Sequence, residues 1–356
     1  MTVDDVVATV APDRSAAEVV LSVRNLVTEL SLPTGPANVV DDVSFDLHRG
    51  EILGLVGESG SGKTATIKSI LRLINPPEGH IASGEVLFEG NNLARADTKL
   101  LQGVRGNRIA MVFQDALTAF NPLLTIGHQI RETVHAHHPD WAKDKCKQRA
   151  LEILEQVGVP SPKDRYKRYS NEYSGGMRQR AMIALALANE PTVVLADEPT
   201  TALDVTTQAQ VIDLLLQLQN DTGVAIIFVT HDLGIVAEIA DRVAVMYAGR
   251  IVELGTVEDI FYRPMHPYTK GLLDSIPRIT DEEAALRSIE GQPPTVARRP
   301  PGCPFHPRCA LGSNSDECRT AIPVLEDKGV DHALVACHLA EGKVDLPTPA
   351  RRSELE

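Results

Sequence analysis

Short unbroken apolar runs alternate along this chain with longer stretches in which apolar residues return every third or fourth position. GEILGLVG (50–57), TVVLADEP (192–199) and VAIIFVTH (224–231) are runs of the first kind. Their shortness and continuous apolar character predict buried strands. TATIKSILRLI (64–74), MRQRAMIALALANE (177–190) and TTQAQVIDLLLQLQND (206–221) are of the second kind and predict helices. The first stops at Asn75, Pro76 and Pro77, the second at Pro191. Strands alternating with helices predict an α/β domain around a mostly parallel sheet core. The segment 21–53 reads as an antiparallel β subdomain and 120–180 as a helical subdomain, so residues 21–262 form one large domain of three sub-parts without internal repeats. Residues 1–20 are polar, charged and aperiodic, and predict a flexible tail. After residue 262 the texture changes. Prolines cluster at 293, 294, 300, 301, 304 and 307, four cysteines appear, and a small Cys-rich module is expected over 263–356.

Composition narrows the class. At 356 residues with 43% hydrophobic content, the chain is long enough for one large domain and a smaller one. No apolar run approaches the roughly 18–20 residues that cross a bilayer. The first residues, MTVDDVVATVAPDR, lack the basic region and apolar stretch of a signal peptide, so a cytosolic location is expected unless a partner carries the chain to a membrane. A net charge of -13 argues against nucleic acid as a partner. In a reducing compartment a cysteine cluster points to a metal site before disulfides.

GESGSGKT (57–64) fits G-x-x-x-x-G-K-[ST] between a predicted strand and a predicted helix. Gly57, Gly60 and Gly62 let the loop curl, so that the backbone N–H groups of Ser59, Gly60, Ser61, Gly62, Lys63 and Thr64 point at phosphate oxygens. Lys63 is expected on the β- and γ-phosphates of ATP and Thr64 on Mg²⁺. VVLADEP (193–199) leaves two carboxylates at a strand's C-terminal end, where open α/β sheets bind ligands. Asp197 is expected to hold Mg²⁺ through water, and Glu198 to act as general base on the attacking water. SGG at Ser174, Gly175 and Gly176 precedes a helix and offers a second anion-binding N-terminus.

The ordered motifs resemble a family. YSGGMRQR (173–180) resembles the signature loop of ATP-binding cassette (ABC) ATPases, which most often reads LSGGQ. FQD (113–115), TALD (201–204) and VTHD (229–232) accompany it in the family's order. The resemblance implies that Ser174, Gly175 and Gly176 face ATP held by a second ATPase subunit, identical or paralogous, so that hydrolysis needs a dimer. It further implies that Gln114 reaches Mg²⁺ and the water, that its loop touches a membrane subunit, that Asp204 acts across the dimer, and that His231 bonds the γ-phosphate. Family members usually stack adenine on an aromatic residue before the phosphate loop. Here no Phe, Tyr, Trp or His lies between Leu21 and Ser44, and Leu30 stands near the expected position.

YAGRIVELGTVEDIFYRPMHPYTKGLLDSIP (247–277), GQPPTV and GCPFHPRC resemble the extension of peptide and nickel importer ATPases. This implies a bacterial subunit, peripheral on the cytoplasmic face of the membrane. It would work with two permease subunits and an extracytoplasmic solute-binding protein to import dipeptides or oligopeptides, with nickel or another small solute as the alternative. A non-transport ABC ATPase is disfavoured by the single cassette and the acidic chain. Cys303, Cys309, Cys318 and Cys337 are separated by five, eight and eighteen residues, which names no metal. The resemblance favours a [4Fe–4S] cluster, with Zn²⁺ or unligated thiols as alternatives. His306, His332 and His338 are possible substitute ligands.

Overall fold

A computed structural model describes residues 17–201, 203–275, 289–329 and 333–340. In chain order the described strands are β1 (Val19–Leu32), β2 (Gly35–His48), β3 (Ile52–Val56), β4 (Gly79–Phe88), β5 (Asn91–Asn92) and β6 (Ile109–Val112). They continue with β7 (Val193–Asp197), β8 (Ala225–Val229), β9 (Arg242–Tyr247), β10 (Arg250–Thr256), β11 (Glu326–Asp327) and β12 (Leu334–Val335). The first sheet, ordered β2-β1-β4-β5, is antiparallel, as the segment's pattern predicts. The second is ordered β11-β12-β10-β9-β3-β8-β7-β6, and its β9-β3-β8-β7-β6 block is parallel. Every residue of β3, β6, β7 and β8 is buried, which accounts for their unbroken apolar sequence. One core lies between this sheet and the helices of the middle segment, around Val112, Ile130, Ile153, Ala184 and Phe228. A second lies between the two sheets, around Phe45, Leu55, Ile67, Val86 and Met246. Most of the expected tail falls outside the described residues, and β1 already begins at Val19.

Two helices stop before their pattern does, the run 177–190 being helical only to Leu187. The pattern from 64 to 74 predicts a longer helix than the observed Lys63–Ile70. Arg105 explains the early stop: its guanidinium donates to the carbonyls of Leu71 (2.8 Å) and Arg72 (2.7 Å). Those carbonyls are thereby satisfied outside a helix.

The C-terminal segment is not the small self-contained module its composition suggests. β12 pairs with the edge strand β10 and extends the main sheet. Cys303, Phe305, Cys309 and Cys318 join Val56, Val243, Val245, Tyr247 and Tyr268 in a single apolar cluster. Arg299 adds an ion pair to Asp41 on β2 (2.5 Å) and donates to the Asn38 carbonyl (2.9 Å). A proline-rich segment with little regular structure buries too little surface alone, so it borrows the cassette's core.

Glu253 and His266 meet in this joint. The Glu253 carboxylate accepts from the backbone N–H groups of Met265 (2.6 Å) and His266 (3.1 Å). Burial pushes its carboxyl from 4.5 up to about 7 and pulls the His266 imidazole from 6.5 down to about 3. The folded chain therefore binds an extra proton at Glu253 between pH 4.5 and 7, and that contribution fades as pH rises. His266 acts in the opposite sense, losing its contribution as pH falls through 6.5 toward 3. Glu253→Gln removes only the first slope. Its melting temperature relative to wild type should rise as pH increases from 4.5 to 7, by at most about 1.4 kcal/mol per pH unit in stability. Melting curves at a series of pH values check this, and a constant difference would refute the buried-proton account.

Candidate functional site

The phosphate-type loop leaves β3 at Val56 and enters the helix Lys63–Ile70. Gly57 has φ 147, and a Cβ there would sit 2.2 Å from the Met246 carbonyl oxygen. Gly62, the helix N-cap at φ 105, has the Val39 carbonyl 2.7 Å from the same hypothetical atom. Both positions therefore demand glycine. Ser59 and Gly60 are exposed at the loop's tip, while Ser61, Gly62 and Lys63 are buried. The buried Ser61 hydroxyl has no hydrogen-bond partner among the described residues. Lys63 Nζ donates to the carbonyls of Gly57 (2.7 Å) and Glu58 (3.0 Å), and burial lowers its pKa against the pull of Glu198, Asp197 and Glu58.

Asp197 ends β7 and accepts a hydrogen bond from Thr64 Oγ1 at 2.8 Å. Burial raises its carboxyl pKa, and the Thr64 bond opposes that shift. Two adjacent hard oxygens suit Mg²⁺, and with the unpartnered Ser61 hydroxyl they leave a polar cradle fitted to a metal–phosphate group.

Three strand ends converge on Glu198. Gln114 follows β6 and donates Nε2 to Glu198 Oε2 at 3.1 Å. His231 follows β8, with Nδ1 3.4 Å from Oε1. Thr201 donates its hydroxyl to Oε2 at 2.9 Å. Glu198 itself takes φ 45, a left-handed backbone unusual for glutamate, and its N–H is held by the Val229 carbonyl at 2.9 Å. Sequence reasoning brought Gln114, Glu198 and His231 to one site but missed Thr201. A hydroxyl three residues beyond the acid, across a turn, was the available signal.

Ser174, Gly175, Gly176 and Asp204 form a separate patch. Ser174 caps the helix Gly175–Leu187 by accepting from Met177 N, and Asp204 caps Val205–Thr222 by accepting from Thr207 N (3.0 Å) and Oγ1 (2.7 Å). The Thr207 bonds hold the Asp204 carboxyl below its ordinary pKa. A Cβ on Gly176 would lie 2.6 Å from Thr207 Cγ2, so the two helix starts abut. Ser174 and Gly175 are exposed. Among the described residues, neither Ser174 nor Asp204 bonds the chain's own 57–64 loop.

With this geometry in place, comparison with known proteins is decisive. Residues 40–201 match the family described as "ABC transporter", and residues 252–318 that described as "Oligopeptide/dipeptide transporter, C-terminal region". A dipeptide transport ATP-binding protein of Bacillus subtilis (strain 168) is 49% identical over 292 residues, 82% of this chain and 87% of the relative. The chain belongs to the ABC transporter family. It is the ATP-binding, ATP-hydrolysing component. An oligopeptide transport ATP-binding protein of the same organism is 48% identical over 297 residues, covering 83% of each chain. Among solved structures, a dimeric ATP-binding cassette bound to ADP and Pi aligns with TM-score 0.60 and 26% identity, over 67% of this chain and 98% of that one.

In this ABC ATPase Leu30, near the expected adenine-side position, is half-buried. It packs against the core between the sheets, and its Cδ2 lies 2.9 Å from where a Gly79 Cβ would stand.

The cysteines require a correction. All five are free, and all are buried. Burial raises the Cys303 thiol to about 11 and the Cys309 and Cys337 thiols in the same direction, and Cys303 senses the other three electrostatically. Cys309 Sγ accepts from Gly312 N at 3.2 Å, and a Cβ on Gly312 would meet Cys318 Sγ at 3.1 Å. Yet among the described residues no group of three or more His, Cys, Asp or Glu side chains could hold a metal ion. Among the described residues the thiols do not stand as a formed iron–sulfur or zinc site. As neutral thiols, packed among apolar side chains, they have no electrostatic reason to close on one point. His306 spends Nδ1 on the Cys303 carbonyl (2.9 Å) and His338 Nε2 on the Ala321 carbonyl (2.9 Å), while His332 lies outside the described residues.

The convergence on Glu198 generates a direct expectation. Glu198→Gln keeps the side chain's shape but removes its capacity to take a proton. Nucleotide binding should persist while ATP turnover falls by at least about 100-fold. Phosphate release and nucleotide binding measured on the same preparation check the split, and unchanged turnover would remove Glu198 from the base role.

Proposed function

We propose that this ABC ATPase energises the import of dipeptides or oligopeptides, and that it hydrolyses ATP at a site completed by a second ATPase subunit. The meeting of Gln114, Thr201 and His231 on Glu198, beside the Thr64–Asp197 pair, carries the hydrolytic half of this reading. The peptide cargo is supported by the two Bacillus relatives and by the match over residues 252–318. Nickel or another small solute is the alternative cargo.

Lys63 and the N–H groups of Ser59 to Thr64 bind the phosphates, drawing Lys63 away from the Gly57 and Glu58 carbonyls. Thr64 and, through water, Asp197 would hold Mg²⁺, which supplies charge neutralisation at the phosphates. Gln114 and Thr201 orient the Glu198 carboxylate toward a water. Glu198 takes that water's proton as its oxygen bonds the γ-phosphorus and the bond to ADP breaks, releasing phosphate. His231, on the same carboxylate, steadies it and reaches toward the γ-phosphate. Ser174, Gly175 and Asp204 are exposed, with Gly176 half-buried beside them, and Ser174 and Asp204 are unbonded to this chain's own loop, which suits contact of the patch with ATP on the second subunit.

No helix among the described residues is long and apolar enough to cross a membrane. Attachment to the cytoplasmic face falls to two permease subunits, served by an extracytoplasmic solute-binding protein. Phe113, Leu117, Leu123 and Leu124, exposed at 42%, 59%, 82% and 37% beside Gln114, supply an apolar surface for them. We divide the chain into a cassette over 21–262 and an extension over 263–356. Cys303, Cys309, Cys318 and Cys337 in that extension take up a [4Fe–4S] cluster, with Zn²⁺ as the alternative. Four buried thiols, two of them (Cys309 and Cys318) meeting beside Gly312, support this assignment. Ligation by metal would deprotonate them and draw them together.

Two measurements test the reading. In proteoliposomes with its permeases and binding protein, ATP turnover should rise on addition of dipeptide and not of nickel; the reverse pattern selects the alternative cargo. Anaerobically prepared protein should carry about four iron atoms per chain, and metal-free protein from that preparation would end the cluster assignment.

A further inference from the structure

Glu58 is the one charged side chain among the variable positions of the phosphate loop, and the chemistry above gives it no task. Every polar group it owns is nevertheless engaged. Its carboxylate receives a two-pronged fork from Arg308, Nη1 to Oε2 at 2.6 Å and Nη2 to Oε1 at 3.0 Å. Its N–H donates to Tyr268 Oη at 2.8 Å, and its carbonyl accepts from Lys63 Nζ at 3.0 Å. Two of these three anchors come from the extension, 210 and 250 residues along the chain.

The anchors are themselves rigid. The Arg308 side chain is 6% exposed, and its remaining N–H capacity goes to the carbonyls of Glu290 (3.0 Å), Ile289 (3.4 Å) and Gly291 (3.3 Å) and to Tyr247 Oη (3.3 Å). Tyr268 is fully buried, with its ring 4.6 Å from Tyr247 and 5.4 Å from Phe305. A buried guanidinium is tolerated when its donors are saturated in this way. A loop built on glycines at 57, 60 and 62 has much conformational freedom to lose, so fixing its second residue from outside leaves less to be lost when phosphate arrives.

We propose that Arg308, with Tyr268, is a positioning residue for the phosphate loop, so that the extension forms the back wall of the nucleotide site. This rests on the reading of that loop as the ATP site. Arg308 immediately precedes Cys309, so the ordering of the cysteine-bearing segment and the ordering of the phosphate loop are mechanically one event.

Glu58→Gln gives a test in which two explanations differ in sign. The change is nearly isosteric and deletes a negative charge close to Lys63 and the triphosphate. Electrostatics alone predicts tighter Mg·ATP binding; loss of the clamp predicts weaker. On the full-length protein, titration with a fluorescent ATP analogue should show affinity reduced about tenfold, the scale of one charge-assisted hydrogen bond. Amide hydrogen exchange across residues 57–64 should accelerate in the nucleotide-free variant. In steady state the KM for ATP should rise while kcat stays within about threefold, because Asp197 and Glu198 are untouched. Arg308→Lys keeps the charge and loses the fork, and should move all three readouts in the same direction. Tyr268→Phe frees only the Glu58 N–H and serves if the Arg308 variant does not fold. Unchanged or tighter binding in Glu58→Gln with unchanged exchange overturns the clamp. Failure of wild type to bind Mg·ATP would instead strike the reading of the site itself.

Discussion

Parallel pairing of β3, β8, β7 and β6 in closely matched register is the constraint on which the rest of this protein depends. The ladder sets Leu55 beside Val229, Asp197 beside Val229, and Val112 beside Ala196. All four strands therefore end along one edge, and the residues just beyond their ends are brought together. A slip of one residue would turn each strand's side chains to the opposite face and separate Gln114, Glu198 and His231. Buried on both faces, the strands pay for the ordering of the polar loops that they carry.

At that edge, the polar groups bond one another. Thr64 bonds Asp197, Lys63 bonds two loop carbonyls, and Gln114 and Thr201 bond Glu198. These contacts hold the side chains in place, and each can be exchanged for a contact to phosphate, metal or water. Such preorganisation lowers the reorganisation that the reacting groups require. The patch of Ser174, Gly175 and Asp204, exposed, with Gly176 beside them, lies outside this closed set.

The extension depends on the same edge from the other side. Tyr247 ends β9, next to β3, and packs tilted against Tyr268 and edge-on to Phe305, while Arg308 reaches across them to Glu58. Val56, the last residue of β3, shares this apolar cluster. A segment with few regular elements is thus ordered by packing onto strands that the nucleotide site already requires. Cys303, Cys309 and Cys318 fall in the same cluster and Cys337 in a small one with Val335 and Ala340, and burial raises the Cys303, Cys309 and Cys337 thiols.

Strands β3, β7 and β8, the helices behind them, and the candidacy of Lys63, Thr64, Gln114, Asp197, Glu198 and His231 were legible in the sequence by itself, whereas β6 and β9 were not. Each legible feature is encoded locally, by an apolar run, a helical period, or a motif placed at a strand's end. The contacts of Thr201, the early end of the Lys63–Ile70 helix and the packing of Leu30 against the core were not legible, because their partners lie far off in sequence or across a turn. The extension was misjudged for the same reason. Its prolines and cysteines describe a segment that cannot fold alone, but they do not say where it finds its core. Only the tertiary structure could place Arg308 on Glu58, since a charge's partner is set by three-dimensional proximity and burial, which no local pattern records.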